Sequence, residues 1–400
     1  MAAEGEMAGD TCVPRQAGCA AYSPCLVADA AAVQKVAVKT FCAALDRRFV
    51  HEQMMLAYGK PAHHCLKDNE TLARKGVTSA ALLRDSGATL RITGPVSDGF
   101  WVRALVVMAH TTWARRIGLP VSVAYRSAQD AYLDQRDERR DGWTQFFEPI
   151  SARRTDSIWA SPVESLGKHM RTASGGSSGP LVQLDCFAAA RAWEAYSNYA
   201  PNFRAATLQR RQRIEMVRQL PLVPRRVFRL AADTFWQQHG LDGPGGTLGI
   251  HLRGTDKPGG LKRGAKVFTP LVRAFLCHRP RARVFVATDD ARLLAELQAS
   301  VAEWLPPSRL VWGDALRGNS SLNPGFDAKE LSLHGHPNLA SDVLLDTLLL
   351  AKCDFLLKSI SSVSEFAIYW NPKLHDHSFD VQLKGQPLPS WADRQCEKPG

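Results

Sequence analysis

The sequence predicts an α/β protein of two domains, an expectation carried by three observations. At 400 residues the chain exceeds what one hydrophobic core usually organises, since domains run to roughly 100 to 200 residues. Strand–helix–strand patterns begin twice, near Thr89 and near Thr247. Between them Gly240–Gly246, dense in Gly and Pro, marks a boundary. The expected division is an extension over 1–86, a first domain over 87–240, a second over 247–372 and a tail over 373–400.

Residues 1–86 read as a partly helical cover for the first domain, with Val33, Val36, Val38, Phe41 and Leu45 at helical spacing within Ala28–Phe49. Thr89–Thr93 is β-prone, and Gly94–Gly99 is turn-rich. Phe100–Ile117 places Val102, Leu105, Val106, Ala109, Trp113 and Ile117 on one helical face, Gly118 stops it, and Pro120–Tyr125 is the next strand. This is a βαβ unit.

Trp143, Phe146 and Phe147 offer rings that suit stacking on a sugar face, although core packing is the commoner fate of such rings. Ala188–Arg218 reads as a helix with a basic outer face at Arg204, Arg210, Arg211 and Arg213, and Arg225–His239 as another. The tail from Leu374 is expected to fold back onto the first domain.

The chemistry concentrates in the second half. Gly249-Ile250-His251-Leu252-Arg253-Gly254-Thr255-Asp256-Lys257 is an apolar strand that ends in a cluster of charge. In open α/β sheets ligands collect at such carboxyl ends. An Arg fork there suits phosphate, and Lys257 adds a point charge. A second strand, Val284–Thr288, ends in Asp289 and Asp290, either of which caps the helix that follows.

Asp342–Ala351 is a nearly all-apolar helix carrying Asp342 and Asp346 on one face. A carboxylate in such company needs a partner, which a ligand amino group, a Lys or a helix N-terminus would supply equally well. The strand Asp354–Lys358 then leads to Ser359-Ile360-Ser361-Ser362. Ser362 and Glu365 have capping-box spacing, so a helix N-terminus that attracts anions is expected at Ser362. Strand ends bearing Arg253, Asp289 or Asp290, and Ser361 with Ser362 would converge on one crevice and read together as a nucleotide-phosphate site.

His-Leu-Arg-Gly-Thr-Asp-Lys, Ala-Thr-Asp-Asp and Leu-Leu-Asp-Thr-Leu-Leu-Leu-Ala-Lys-Cys-Asp-Phe-Leu-Leu-Lys followed by Ser-Ser resemble, over Leu248 to Pro372, motifs of the α1,6- and protein O-fucosyltransferase superfamily. The resemblance implies two Rossmann-like domains facing across a cleft, the GT-B arrangement. It implies inverting transfer of fucose from GDP-fucose, as donor substrate, to a glycan or protein hydroxyl, without metal or other cofactor. It gives Arg253 the β-phosphate and the departing GDP, His251 and Asp346 the guanine side, and Ser361 or Ser362 the phosphates. Lys257, Asp289 and Asp290 join these as substrate contacts, and Asp256 is the candidate general base.

The sequence departs from the α1,6 enzymes in two places: Gly254 stands where they carry a second Arg, and Pro258-Gly259-Gly260-Leu261 where they carry a carboxylate. These departures favour the alternative of a non-catalytic nucleotide- or carbohydrate-binding protein on the same fold.

A net charge of +11, from 50 Lys and Arg against 39 Asp and Glu, suits phosphorylated partners. Mixed-sign runs such as Arg136–Asp141 read as solvated faces, which argues against a nucleic-acid partner. No apolar run reaches the ~18 residues of a membrane span. Met1–Ala17 has no apolar core of a signal peptide. Two compartments stay open, the cytosol and, from the resemblance, the Golgi or secretory lumen.

Among nine cysteines, Cys12, Cys19, Cys25, Cys42 and Cys65 crowd the N-terminal part, while Cys277 and Cys353 in apolar runs are expected as buried thiols. Leu316–Asn338 reads as an irregular loop over the site, and its His334 and His336 lack a third metal ligand.

Overall fold

The computed structural model describes residues 24–27, 89–92, seven positions between 100 and 111, 121–123, 142–150, 182–183, 200, 202–220, 222–254, 264–315, 317 and 339–394. The protein is mixed α/β. Four short strands form one sheet: β1 (Pro24–Val27), β2 (Thr89–Ile92), β3 (Val121–Val123) and β4 (Val182–Gln183), in the order β3-β2-β1-β4. β2 and β3 run parallel, with Leu90 opposite Val121, as the βαβ reading requires. β1 lies antiparallel to β2 and β4, so residues read as an extension supply a strand of the sheet. The helix expected over Ala28–Phe49 lies outside the described residues.

The second sheet is wholly parallel. β5 (Thr247–Leu252), β6 (Arg283–Thr288), β7 (Leu310–Trp312), β8 (Phe355–Lys358) and β9 (Ser378–Asp380) take the order β7-β6-β5-β8-β9. Every residue of β5 is buried, because helices cover both faces of the sheet. On one face Leu248, Ile250, Leu252, Val284 and Val286 pack with Phe275 and Leu297 from α4 (Thr269–His278) and α5 (Ala291–Val301).

On the other face Phe285 and Ala287 meet Leu344, Leu349 and Phe366 from α6 (Leu339–Ala351) and α7 (Ser362–Trp370). The two-residue alternation of strand side chains assigns each residue to its face. Gly249 faces α6 at closest approach, where a Cβ would stand 2.8 Å from Cys353 Sγ.

A further layer lies over α6 and α7. It comprises α1 (Gly142–Phe146), α2 (Phe203–Gln219) and α3 (Arg226–Gln238). Asn202 caps α2 by accepting the Ala205 N–H. The helix opening at Phe100 joins the same core. Trp101 stacks on Phe366 at 4.3 Å and donates from Nε1 to Thr347 Oγ1 at 2.9 Å.

Several expectations need correction here. In the helix that opens at Phe100, Trp101, Ala104, Leu105, Met108 and Thr111 are buried; Leu105 belongs to the expected stripe, whose other members, Val102, Val106, Ala109, Trp113 and Ile117, lie outside the described residues. Trp143, Phe146 and Phe147 are buried against Phe100 and Trp101, so they belong to the core and not to an open groove. Arg210 and Arg213 are buried with paired side chains, while Arg204 and Arg211 face solvent, because α2 turns the first two toward α7.

The tail adds β9 to the second sheet and seats Trp391 against Phe275 and Phe355, and it also reaches α2, where the Phe203 N–H donates to the Lys384 carbonyl at 2.9 Å. Cys353 is a buried free thiol, but Cys277 is disulfide-bonded. No described helix is long and apolar enough to cross a membrane.

Candidate functional site

The strand order places a switch point between β5 and β8. Chain connections leave β5 toward β6 and β7 on one side and return to β8 and β9 on the other, which opens a crevice at the carboxyl ends. Arg253 is the first residue beyond β5. Its backbone N–H donates to Ser359 Oγ at 3.2 Å, just past the end of β8, and Ser359 Oγ in turn donates to the His251 carbonyl at 3.3 Å. The two strand ends are thereby laced together at this crevice.

On the β6 side, Asp289 receives both parts of the β5 exit. Arg253 Nη1 lies 2.8 Å from its Oδ2, and the Gly254 N–H donates to its Oδ1 at 2.8 Å. The two side chains are 20 and 23% exposed, so the pair stands at the mouth of the crevice. Asp290 is the helix cap: its Oδ1 accepts from the N–H groups of Arg292 and Leu293. With no exposed surface, Asp290 is a structural group, which corrects the expectation of a substrate contact there. Its Oδ2 stands where a Cβ on Gly254 would come within 2.5 Å.

Across the crevice Ser361, not Ser362, caps α7, its hydroxyl accepting the Val363 N–H at 3.3 Å. Ser362 is the first helical residue and is partly exposed. The expected capping box is absent because Glu365 turns inward to Arg210, whose Nε and Nη2 donate to its two oxygens at 2.9 and 2.8 Å. Lys358 Nζ, wholly buried at the end of β8, lies 2.9 Å from Glu365 Oε1 and 2.5 Å from Asp380 Oδ2. Burial alone would raise the Glu365 carboxyl, but the Arg210 and Lys358 charges outweigh it and hold the group far below the usual range.

His251 is buried beside Ala287 and Lys358 in the register, and its Nδ1 has no hydrogen-bond partner among the described residues. Burial, then the Arg253 and Lys358 charges, push its basicity down, so the imidazole is neutral. Asp346 projects from α6 toward the end of β7, with Oδ1 4.0 Å from where a Cβ on Gly313 would sit. The residue keeps some exposure, yet its carboxyl is crowded by protein. Burial, opposed by Arg317 and reinforced by Asp342 and Asp289, lifts it to about 7. Arg317 is anchored by donating to the carbonyls of Ala315 and Gly313.

Arg253 is thus held between Asp289 and, through its N–H, Ser359; Ser361 and Ser362 follow Ser359 in the chain at the start of α7, and Asp346 lies near Gly313, past the end of β7. Asp256, Lys257, His334 and His336 lie outside the described residues. Sequence reasoning missed Ser359, Arg317 and the group Arg210, Lys358, Glu365 and Asp380. For Lys358 a signal existed, since a Lys closing the run Phe-Leu-Leu-Lys is buried with its strand and needs a carboxylate. For Arg210 none existed, because its partner lies 155 positions away. Among the described residues no group of three or more His, Cys, Asp and Glu could hold a metal ion.

Comparison with known proteins found no matching family model and no matching curated protein. Among solved structures the chain is similar to NodZ α-1,6-fucosyltransferase co-crystallised with GDP, at 15% identity and TM-score 0.35, over 68% of this chain and 89% of that one. The same protein soaked with GDP-fucose gives 15% identity and TM-score 0.36 over 69% and 90%. Its selenomethionine form from Bradyrhizobium gives 16% and 0.35 over 68% and 88%.

Proposed function

We propose that this protein is an inverting glycosyltransferase that moves fucose from GDP-fucose to a hydroxyl of a glycan or protein. The observation that supports it is the position of Arg253: at the switch point of a parallel sheet, tied through its N–H to Ser359 and through its guanidinium to Asp289. A diphosphate in this crevice meets a fixed cation and the start of α7.

In the reaction an acceptor oxygen attacks the anomeric carbon while the bond from that carbon to the β-phosphate oxygen breaks. The electron pair leaves with GDP, and the configuration inverts. Negative charge grows on the departing diphosphate, so an arginine already oriented by Asp289 lowers the barrier without reorganising. The resemblance adds that no metal is needed for this offset. The acceptor proton passes to a base, for which Asp256 is the candidate. His251, neutral and buried, and Asp346 serve the nucleobase side, and Lys257 joins Arg253 on the phosphates.

A second reading, a nucleotide- or carbohydrate-binding protein without catalysis, is favoured by one observation. At Gly254 no side chain fits beside Asp290, so a second arginine is sterically shut out of this position. The test is a thermal-shift screen of nucleotide sugars followed by assay of the best binder for transfer and hydrolysis. GDP-fucose is expected to raise the melting temperature above UDP and ADP sugars and to be consumed. Binding without consumption selects the second reading, no response to any GDP sugar removes the first, and no response to any nucleotide sugar or free sugar removes both.

A further inference from the structure

We propose that Arg210 is a positioning residue for the diphosphate site, acting from α2 through Glu365; the inference rests on the nucleotide-sugar reading above. The bidentate fork from Arg210 fixes Glu365 in the first turn of α7. Glu365 Oε1 is shared with Lys358, which closes β8, and Lys358 continues to Asp380 at the end of β9. Asp380 Oδ1 accepts the Gln382 N–H at 3.0 Å, and Gln382 Oε1 accepts the Ile360 N–H at 2.8 Å. A continuous chain of polar contacts, buried from Arg210 to Asp380 and partly buried at Gln382, thus runs from α2 to the turn Ser359–Ser361, whose other side is held by Arg253 and His251.

Two consequences follow for an anion at the start of α7. An unneutralised Glu365 in the first helical turn would oppose the favourable end of the helix dipole, whereas here two cations cancel it. The turn carrying the hydroxyls is also held at Ile360 by Gln382, just past β9, and at Ser359 by Arg253 and His251. Buried ion pairs contribute little net stability compared with apolar residues of similar volume. A network of four such charges beside a crevice is better explained by placement than by strength.

The experiment uses the full chain, with Arg210→Lys, which keeps charge and loses the fork, and Arg210→Met with Glu365→Leu, which replaces the pair by apolar volume. Melting curves select folded variants, and calorimetry gives Kd for GDP and for guanosine. At least one variant is expected to stay folded, bind guanosine as wild type does, and bind GDP about tenfold more weakly, the worth of one charge-assisted hydrogen bond. Unchanged GDP affinity in a folded variant overturns the inference and leaves the proposed function standing. Equal losses for GDP and guanosine, or loss of the fold in both variants, assign the network to stability alone. A wild-type protein that binds no nucleoside diphosphate ends both proposals.

Discussion

Arg253 and Asp289 meet across the carboxyl ends of two adjacent parallel strands, with Nη1 2.8 Å from Oδ2, while the other oxygen of Asp289 holds the Gly254 N–H. One carboxylate therefore sets both the direction of the guanidinium and the path of the chain leaving β5. The charge it offsets in the resting protein is the charge a diphosphate would compete for.

Arg253→Ala is expected to fold, because its side chain is partly exposed and its structural hydrogen bond to Ser359 comes from the backbone. Activity with GDP-fucose should fall about 100- to 1000-fold, the usual cost of one preorganised donor to developing charge. Turnover of the purified variant within a few-fold of wild type would falsify the assignment.

Gly254→Ala tests the closure beside Asp290. The added methyl meets Asp290 Oδ2 and Cβ at 2.5 and 2.6 Å and Leu293 Cδ1 at 2.7 Å, and two of these belong to the cap of α5. Overpacking of this kind costs about 1 to 3 kcal/mol, read as a lower midpoint in urea unfolding. A variant as stable as wild type means the turn relaxes freely, and the steric account of the missing second arginine fails.

Asp346 predicts a pH dependence of its own. Its folded value is raised to about 7, so the stability it contributes is present at low pH, below its unfolded value, and is lost as pH rises to about 7. Since ligand N–H groups pair best with the ionised carboxylate, nucleotide affinity should rise through the same range. Asp346→Asn should flatten both profiles, and an inflection near pH 7 surviving in that variant assigns it elsewhere.

Glu365 has the opposite sign. Its folded value is depressed, so its stability is present above the unfolded value of ~4.3 and is lost as pH falls below it. Glu365→Ala leaves Arg210 and Lys358 buried without their shared partner, at a cost of about 3 to 5 kcal/mol. Urea midpoints measured at pH 7 for wild type and variant check this, and a difference under ~1 kcal/mol means that the two cations find other partners when Glu365 is removed.

The second sheet was legible from the chain because buried parallel strands are short apolar runs with polar ends. Thr247–Leu252, Val284–Thr288 and Asp354–Lys358 were each read close to their observed bounds. Arg253 and Asp289 were legible as the residues just past those ends. Misreadings arose where two signals coincide in sequence. Ser361 and Ser362 are both good caps, and Glu365 sits three residues after the second, yet a buried arginine claimed its carboxylate. The arginines of α2 looked like a solvated stripe because charge on a helix usually is one. Ser378–Asp380 is too short for periodicity to distinguish a strand from a turn.

By itself the sequence determined that an arginine follows a buried strand, that carboxylates and serines follow its neighbours, and that the segments between them are helical. These are matters of local pattern, fixed by hydrophobic period and by which residues end a strand. Only the tertiary structure decided which oxygen each cation would hold, that Asp290 and not Asp289 is spent on a cap, and that Arg210 reaches Glu365. The physical reason is that a buried charge is satisfied by whichever partner the packing of α2, α7, β8 and β9 brings within hydrogen-bond reach, and that distance is a property of the fold.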